Sequence, residues 1–275
     1  MGKLYVVATP IGNLKDITLR ALEVLQSVNI IAAEDTRQTL KLLNHYGISG
    51  KKLISYHNYN EKEISEKLIN ILKTEDVALV SDAGTPCISD PGYRVVKKAR
   101  ESSIEVVPIP GPFAAAVALS ASGLPSDKFL FVGFLPNKER ERETDLGEYI
   151  DLGFTFILYE SPKRVLKTLN LLNKLNPDAD VVVAKELTKI HESFIFGKPI
   201  EIVNFFENNL EKLKGEFVIL VYPKKEKNID IEEILKEAKN LKKEGKKTKE
   251  IAFLLSNKYG LPKNLIYEKI KNLEI

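Results

Sequence analysis

Three short segments of this chain combine proline, glycine and polar residues in a way that suits gripping a small ligand by main-chain atoms. The first is Thr9-Pro10-Ile11-Gly12-Asn13. Proline fixes one φ angle and glycine allows one that a side chain would forbid, so this turn is stiff and its backbone can approach a bound molecule closely. The second runs Ser81-Asp82-Ala83-Gly84-Thr85-Pro86-Cys87-Ile88-Ser89-Asp90-Pro91-Gly92. Its many main-chain groups need partners, and a ligand with amino, carboxylate and hydroxyl groups can supply them. The third, Pro108-Ile109-Pro110-Gly111-Pro112-Phe113-Ala114-Ala115-Ala116, frames a glycine with three prolines and opens a helix of small residues that a flat ring can lie over. Each also has a plain alternative: a strand-to-helix turn, aspartates that cap turns and helices, an interdomain hinge. Cys87 has no base beside it and reads as a packing residue rather than a nucleophile.

The elements that must position these segments alternate. Leu4 to Ala8 is an apolar run suited to a strand buried on both faces. Asp16 is placed to cap a helix bearing Leu19, Leu22, Leu25 and Val28. Strands are expected at 30–33, 77–80 and 105–109, with helices carrying Ile64, Leu68, Ile71 and Leu72 and spanning about Tyr93 to Arg100. Such alternation implies parallel strands joined by crossover helices. After Gly111 the pattern restarts, with a helix near 114–120 and strands at 129–134, 154–159, 181–185 and 217–222. Helices separate only some of these, which predicts a mixed sheet. The expected fold class is therefore α/β, with two tandem α/β domains at 1–113 and 114–223 and a cleft between them. A small helical appendage follows at 224–275. There Ile231, Ile234, Leu235, Ala238 and Leu241 form one helical stripe, Gly245 breaks it, a second helix runs from Thr248 through Leu255, and Gly260-Leu261-Pro262 precedes a third at 265–270. The arrangement resembles a helix-turn-helix unit.

Composition narrows the function. The chain has 275 residues, 44% of them hydrophobic, and one cysteine, so each unit can bury its own core without an internal disulfide. No run of about 18 apolar residues and no signal-peptide layout is present, so a soluble cytoplasmic protein with no membrane contact is expected. The three histidines are scattered without ligand spacing, and no metal site is expected. The net charge of +3 is uneven: residues 224–275 hold 14 Lys and Arg against nine Asp and Glu, while the rest is slightly acidic. A basic appendage on a near-neutral body points to a polyanionic partner, although a solvated lysine-rich helix gives the same composition. Neither G-x-G-x-x-G after the first strand, nor a phosphate-binding G-x-x-x-x-G-K-[ST], nor a G-x-S-x-G elbow occurs. These absences count against dinucleotide, nucleoside-triphosphate and serine-hydrolase sites.

Taken in order, the three turns, Glu34-Asp35-Thr36-Arg37, Glu160-Ser161-Pro162-Lys163-Arg164, Ala184-Lys185-Glu186-Leu187-Thr188-Lys189 and Lys214-Gly215-Glu216-Phe217 resemble the tetrapyrrole methylase superfamily. Within it, the resemblance is to the branch that methylates ribosomal RNA, and it spans the whole chain. The resemblance implies S-adenosylmethionine folded into the interdomain cleft, a homodimer, and methyl transfer to the 2′-hydroxyl of a decoding-centre cytidine in 16S rRNA of the small ribosomal subunit. It places the cofactor against Pro10, Ile11 and Gly12, against Asp82, Ala83, Gly84, Thr85 and Pro86, against Pro112, Phe113 and Ala114, and against Leu187 and Gly215. Three departures stand out: Phe113 in place of serine, Lys163 in place of histidine, and a mixed-charge loop at Lys138 to Glu143 where a basic one is expected.

A ribose hydroxyl is a weak acid, so a base in the cleft helps its attack. Glu160, Lys185 and Glu186, each just beyond an expected strand, are the candidates, with a structural Lys185–Glu186 ion pair as the alternative. Lys242, Lys243, Lys246, Lys247 and Lys249 are the expected phosphate contacts. A tetrapyrrole methyltransferase would share the cleft but leave the basic appendage without a purpose, and a non-enzymatic nucleic-acid-binding regulator would need no cleft.

Overall fold

The structure, a computed structural model, describes residues 1–224, 231–259 and 263–271, with the side chains of 231–233 excepted. The chain divides into two compact units, Met1–Lys224 and Lys225–Ile275.

The first sheet of the larger unit is built from β1 (Leu4–Val7), β2 (Ile30–Ala33), β3 (Lys52–Ser55), β4 (Val77–Val80) and β5 (Val106–Ile109). Its order is β3-β2-β4-β1-β5 and every pair is parallel. All four residues of β2 and of β4 are buried, which is why those strands are unbroken apolar runs rather than alternating ones. On one face Leu4, Ala32 and Leu79 pack under α3 (Glu61–Ile71) and α4 (Tyr93–Glu101). On the other, Val7, Ile31 and Val80 pack under α1 (Leu19–Ser27) and Leu43 of α2 (Thr36–His45). The strand order reverses between β1 and β4, and the helices that follow them leave to opposite faces, which opens a crevice at the carboxyl ends of both strands.

α5 (Ala114–Ser122) leads into a second sheet of β6 (Phe129–Phe134), β7 (Thr155–Glu160), β8 (Asp180–Lys185), β9 (Ser193–Gly197) and β10 (Phe217–Tyr222). The order is β6-β7-β10-β8-β9; β6 and β7 pair in parallel and the other pairs are antiparallel, so the sheet is mixed as expected. α6 (Glu139–Leu152), α7 (Val165–Leu175) and α8 (Pro199–Glu207) cover one face around Phe156, Leu158 and Ile219. The opposite face packs Ile157, Val182, Ala184 and Leu220 against Ala115 and Ala118 of α5 and against Ile11. Each fully buried large apolar side chain contributes about 1.5–3 kcal/mol relative to exposure. The two sheets are called the N-lobe and C-lobe below.

The structure departs from the sequence expectations in identifiable ways. Thr18, not Asp16, caps α1: its hydroxyl accepts the Ala21 N–H at 3.1 Å, while Asp16 ends a 3-10 turn. Leu19 is 79% exposed, so the buried stripe of α1 is Ala21, Val24 and Leu25. The segments α2, β3, α7, β9 and α8 were not anticipated, and the expected loop at 138–143 is mostly the first turn of α6.

The smaller unit contains α9 (Ile231–Lys243), α10 (Thr248–Tyr259) and α11 (Lys263–Ile270), the three helices expected there. Its core is Ile234, Ala238, Ile251, Ala252, Leu255, Ile266 and Ile270. The side chain of Ile231 and the Gly260-Leu261-Pro262 turn lie outside the described residues. Among the described residues no helix is long and apolar enough to cross a membrane.

Candidate active site

The loops that follow β1 and β4 are clasped together. Thr9 N–H donates to the Gly84 carbonyl at 2.9 Å and Gly84 N–H returns to the Thr9 carbonyl at 3.0 Å. The Thr9 hydroxyl donates to the Ser81 carbonyl at 3.2 Å, and the Thr85 hydroxyl donates to the Pro112 carbonyl at 3.0 Å. All three motif segments are therefore linked by short polar contacts that leave the intervening backbone fixed.

Facing them is the end of the C-lobe sheet where β6, β7 and β8 finish and β10 begins. The gap encloses a cavity of about 400 Å³. Ile11, Ala83, Gly84, Thr85, Ile88, Ser89, Asp90, Phe113 and Ala114 line it from one side, and Phe134, Tyr159 to Pro162, Leu187 and Gly215 to Val218 from the other. A second cavity of about 310 Å³ adjoins it and is lined by Thr9, Pro10, Gly12, Leu14, Gln38, Thr39, Lys41, Leu42, Ser81, Asp82 and Lys189, with Ile11, Ala83 and Glu216 as walls common to both. Of the expected cofactor residues, Ile11, Ala83, Gly84, Thr85, Phe113, Ala114, Leu187 and Gly215 meet around the larger cavity. Pro10, Gly12 and Asp82 line the smaller one. Pro86 is buried and lines neither, and Pro112 contributes through its bond to Thr85.

The larger cavity has an aromatic wall. Phe113 meets Phe131 edge-to-face with centroids 5.1 Å apart, Phe131 meets Tyr159 at 5.0 Å, and Phe134 meets Tyr159 at 5.6 Å. Phe113, one of the departures from the family pattern, is thus a packed member of this wall. Burial, with the nearby Asp90 charge, pushes the Tyr159 hydroxyl up to about 12, so it stays protonated. Asp90 itself is pushed up to about 6 by burial and by the neighbouring charges of Glu34 and Asp82. Burial also raises Asp82 and Glu34 above the usual carboxylate range.

The loop after β8 closes the site under backbone strain. Glu186 and Thr188 adopt φ of 52° and 66°. Left-handed backbone at a non-glycine residue costs on the order of 1–2 kcal/mol, so the surrounding contacts must hold it. Thr188 does so from one side, its hydroxyl accepting the Asn13 N–H at 3.0 Å. Gly12 lies so close that a Cβ there would stand 2.6 Å from Lys189 Cγ and 3.0 Å from the Leu187 carbonyl oxygen. Gly215, at φ 88°, is the other tight point: a Cβ would stand 2.3 Å from Glu186 Oε1.

The three catalytic candidates differ in placement. The Glu160 carboxylate is buried; one oxygen accepts the Ser161 N–H at 2.8 Å and faces Arg164 Nε at 3.1 Å, and the other accepts the Thr168 hydroxyl at 2.7 Å. The Glu186 carboxylate accepts from Lys189 Nζ and from Glu216 N–H, each at 2.9 Å. Burial works to raise its pKa, but those two donors outweigh it and the net shift is downward. The alternative Lys185–Glu186 ion pair is not what forms: the partner is Lys189, which also bridges to Glu216 at 2.9 Å. Lys185 is buried, its side chain has no hydrogen bond or ion pair among the described residues, and it alternates with Ala184 onto the face of Val181 and Val183. That face lies away from the one that packs on α5.

Asp90, Phe134, Tyr159, Gln38, Lys41 and Lys189 were not singled out from sequence. Asp90 and Lys189 lie inside motif segments, and strand alternation through Ile157 places Tyr159 on the site face; nothing in the sequence marks Gln38 or Lys41, because α2 buries only Thr39 and Leu43. Among the described residues no group of acidic, histidine or cysteine side chains is arranged to hold a metal. In the smaller unit Lys242 and Lys243 sit in the last turn of α9 and Lys249 in the first turn of α10, with Lys246 and Lys247 between them. Lys243, Lys247 and Lys249 are exposed, while Lys246 pairs with Glu244 at 2.9 Å.

A family model described as tetrapyrrole (corrin/porphyrin) methylases matches residues 3–202. Proteins named ribosomal RNA small subunit methyltransferase I are similar along the chain. The one from Vibrio cholerae is 50% identical over 80% of this chain and 76% of its own. The one from Haemophilus influenzae is 42% identical over 97% and 95%, and that from Synechocystis 42% identical over 100% and 99%. Among solved structures, uroporphyrin III C-methyl transferase from Thermus thermophilus superposes with a TM-score of 0.57 at 19% identity, covering 80% of this chain and 97% of that one. The same Thermus enzyme complexed with S-adenosyl homocysteine gives 0.55 at 19% identity, over 80% and 97%. With this fold and these relatives, the chain belongs to the tetrapyrrole methylase family of S-adenosylmethionine-dependent methyltransferases, in its ribosomal RNA small subunit methyltransferase I branch.

Proposed function

We propose that this chain methylates 16S rRNA of the small ribosomal subunit, and that the acceptor is the ribose 2′-hydroxyl of a decoding-centre cytidine. The observation that carries the reading is the extent of the likeness: relatives named for ribosomal RNA methylation align with the whole chain, appendage included, at 42% identity.

The larger cavity suits the cofactor. Its volume of about 400 Å³ lies within the ~300–1,000 Å³ typical of small-molecule sites. Phe113, Phe134 and Tyr159 offer an apolar wall to a flat ring, the backbone of Ile11 and of Ala83 to Thr85 offers main-chain groups, and Asp90 and Glu216 offer negative charge to an ammonium. When bound, S-adenosylmethionine supplies an electrophilic methyl: the ribose oxygen bonds to that carbon, the carbon–sulfur bond breaks to leave S-adenosylhomocysteine, and the hydroxyl proton departs to a base or water. The chain's own part is to hold the reacting groups in line and exclude water from the gap.

In this reading Glu160 and Glu186, whose oxygens are already engaged, hold the walls, and Lys185, which leaves β8 on the face turned from α5 and lines neither cavity, takes no part in the proton transfer, so the hydroxyl proton departs to water. Full turnover by Lys185→Ala at unchanged RNA affinity is the expected result, and lost turnover at unchanged stability would return Lys185 to the mechanism. The exposed Lys243, Lys247 and Lys249, with Lys242 and Lys246, meet phosphates; the chain works as a homodimer in the cytoplasm, where its substrate resides.

The test is methylation of small ribosomal subunits lacking the modification, using radiolabelled S-adenosylmethionine and mapping of 2′-O-methyl nucleotides. One labelled cytidine, resistant to alkaline cleavage, is expected. Label on a base, or none on RNA at all with the cofactor bound, rejects the proposal.

A further inference from the structure

The cofactor fills the larger cavity in the reading above, and the smaller one, lined by Pro10, Gly12 and Asp82 among the expected cofactor contacts, shares three wall residues with it. Its chemistry is different. The larger cavity is walled by aromatic rings; the smaller has none among the described residues and sets Gln38, Lys41 and Asp82 beside the aliphatic Leu14 and Leu42. The Thr9 and Ser81 hydroxyls are buried and bonded to the Ser81 and Gly84 carbonyls, at 3.2 and 3.3 Å, so they brace the wall.

Charge in this cavity is graded. Lys189 is neutralised by Glu186 and Glu216. Lys41 has no carboxylate partner among the described residues; its ammonium touches only the Gln38 side-chain oxygen at 3.4 Å. Gln38 and Lys41 are both exposed and lie three residues apart, hence on one face of α2. Asp82 and Glu216 lie on the lining as well, and Glu216 belongs to the wall shared with the larger cavity. Among the described residues the smaller cavity therefore offers one cation without a carboxylate partner, a bifunctional amide, and acceptors towards the partition formed by Ile11, Ala83 and Glu216.

We infer that this cavity receives the acceptor nucleotide, turned out of its strand, with its phosphate at Lys41, its base edge at Gln38 and its ribose hydroxyls towards the Ile11–Ala83–Glu216 partition. The inference rests on the RNA methylation proposed above and says where on the chain the acceptor sits. Its volume of about 310 Å³ is near the lower limit for a small-molecule site and suits one nucleotide. A duplex does not fit, so the nucleotide must come from a single-stranded segment or be flipped. A four-ring macrocycle would overfill the space, and its rim of carboxylates would meet Asp82 and Glu216. The partition places a ribose oxygen next to the cofactor cavity without either ligand entering the other's space.

The test uses the full chain and small ribosomal subunits. Gln38→p-benzoylphenylalanine, irradiated with subunits in the absence of cofactor, is expected to crosslink within two nucleotides of the residue that the wild type methylates. Gln38→Ala and Lys41→Glu are expected to lower kcat/KM for the subunit at least tenfold while cofactor affinity by calorimetry stays within twofold. Because both side chains are exposed, neither change perturbs the core, and unaltered thermal unfolding checks this. Crosslinks confined to distant RNA, kcat/KM within twofold of wild type, or cofactor affinity that falls in step with activity each overturn the inference. A wild type that binds cofactor but labels no RNA is a separate result: it rejects the proposed function before any variant is made, and the nucleotide subsite with it.

Discussion

The N-lobe and the C-lobe contribute to one site by opposite means. In the N-lobe all five strands are parallel, so every strand that carries a site loop delivers it at the same edge of the sheet, and what arrives is mostly backbone held by proline, glycine and the Thr9–Gly84 bonds. In the C-lobe the sheet is mixed, and what arrives is side chains: Phe134, Tyr159, Glu160 and the strained Glu186 to Thr188 segment. The lesson is that parallel topology supplies shape through the main chain, whereas the mixed sheet supplies surface through residues whose own positions need buried polar support. Substitutions in the C-lobe should therefore be costly through what they unpair, and those in the N-lobe mild unless they add atoms.

Glu160→Ala gives the sharpest test. It leaves Arg164 and Thr168 without the carboxylate they share, and removal of one partner of a buried pair costs about 3–5 kcal/mol. Equilibrium urea unfolding should show a loss near 3 kcal/mol, with Glu160→Gln losing less; an unchanged midpoint for Glu160→Ala would mean the C-lobe walls do not depend on polar support. Next in size is Gly215→Ala, which places a Cβ against Glu186 and forces an alanine to φ 88°. Such strain and overpacking cost on the order of 1–3 kcal/mol, and calorimetry is expected to show cofactor binding weakened at least tenfold.

Phe113→Ser probes the aromatic wall where the lobes meet. Loss of the edge-to-face contact with Phe131 is worth about 0.5–1.5 kcal/mol beyond buried area. Cofactor affinity should fall by a factor of a few, and tighter binding would show that the ring obstructs rather than forms the site. A different kind of test is the pH dependence set by Asp90. Its folded-state pKa of about 6 lies above the ordinary 3.8, so the native state holds the proton more tightly than the unfolded chain does. Its contribution is present below about pH 4 and is lost as pH rises through 6. Asp90→Asn should flatten thermal stability between those values; an unchanged slope would show that the loop is more hydrated than its packing indicates.

The N-lobe loops were legible because proline and glycine at fixed offsets announce a backbone constraint before any contact is known. The parts that escaped notice lack such a marker. Helix α2 buries only Thr39 and Leu43, so its stripe depends on a threonine that reads as polar. In α6 the first buried position is Arg142, whose guanidinium donates to the Pro136 and Asn137 carbonyls at 3.2 and 3.0 Å; a charged residue satisfied by backbone breaks the apolar period. Strands β3 and β9 are sheet edges with one or no buried residues, and β9 alternates too weakly to be read. The pairing of Glu186 with Lys189 rather than with Lys185 was likewise hidden, since it depends on a left-handed turn at Glu186 that sequence spacing does not reveal.

The paired hydrogen bonds between Thr9 and Gly84 also bear on how ligands enter and leave. With both amides engaged, the two loops cannot part without breaking the pair together, so they form a fixed jaw continuous with the sheet. Admission to the gap must come from excursions of the facing segment after β8, where strain is already stored. Amide exchange should accordingly be slow at Thr9 and Gly84 and faster at Thr188 and Lys189, making the latter the moving jaw that sets the pace of product departure.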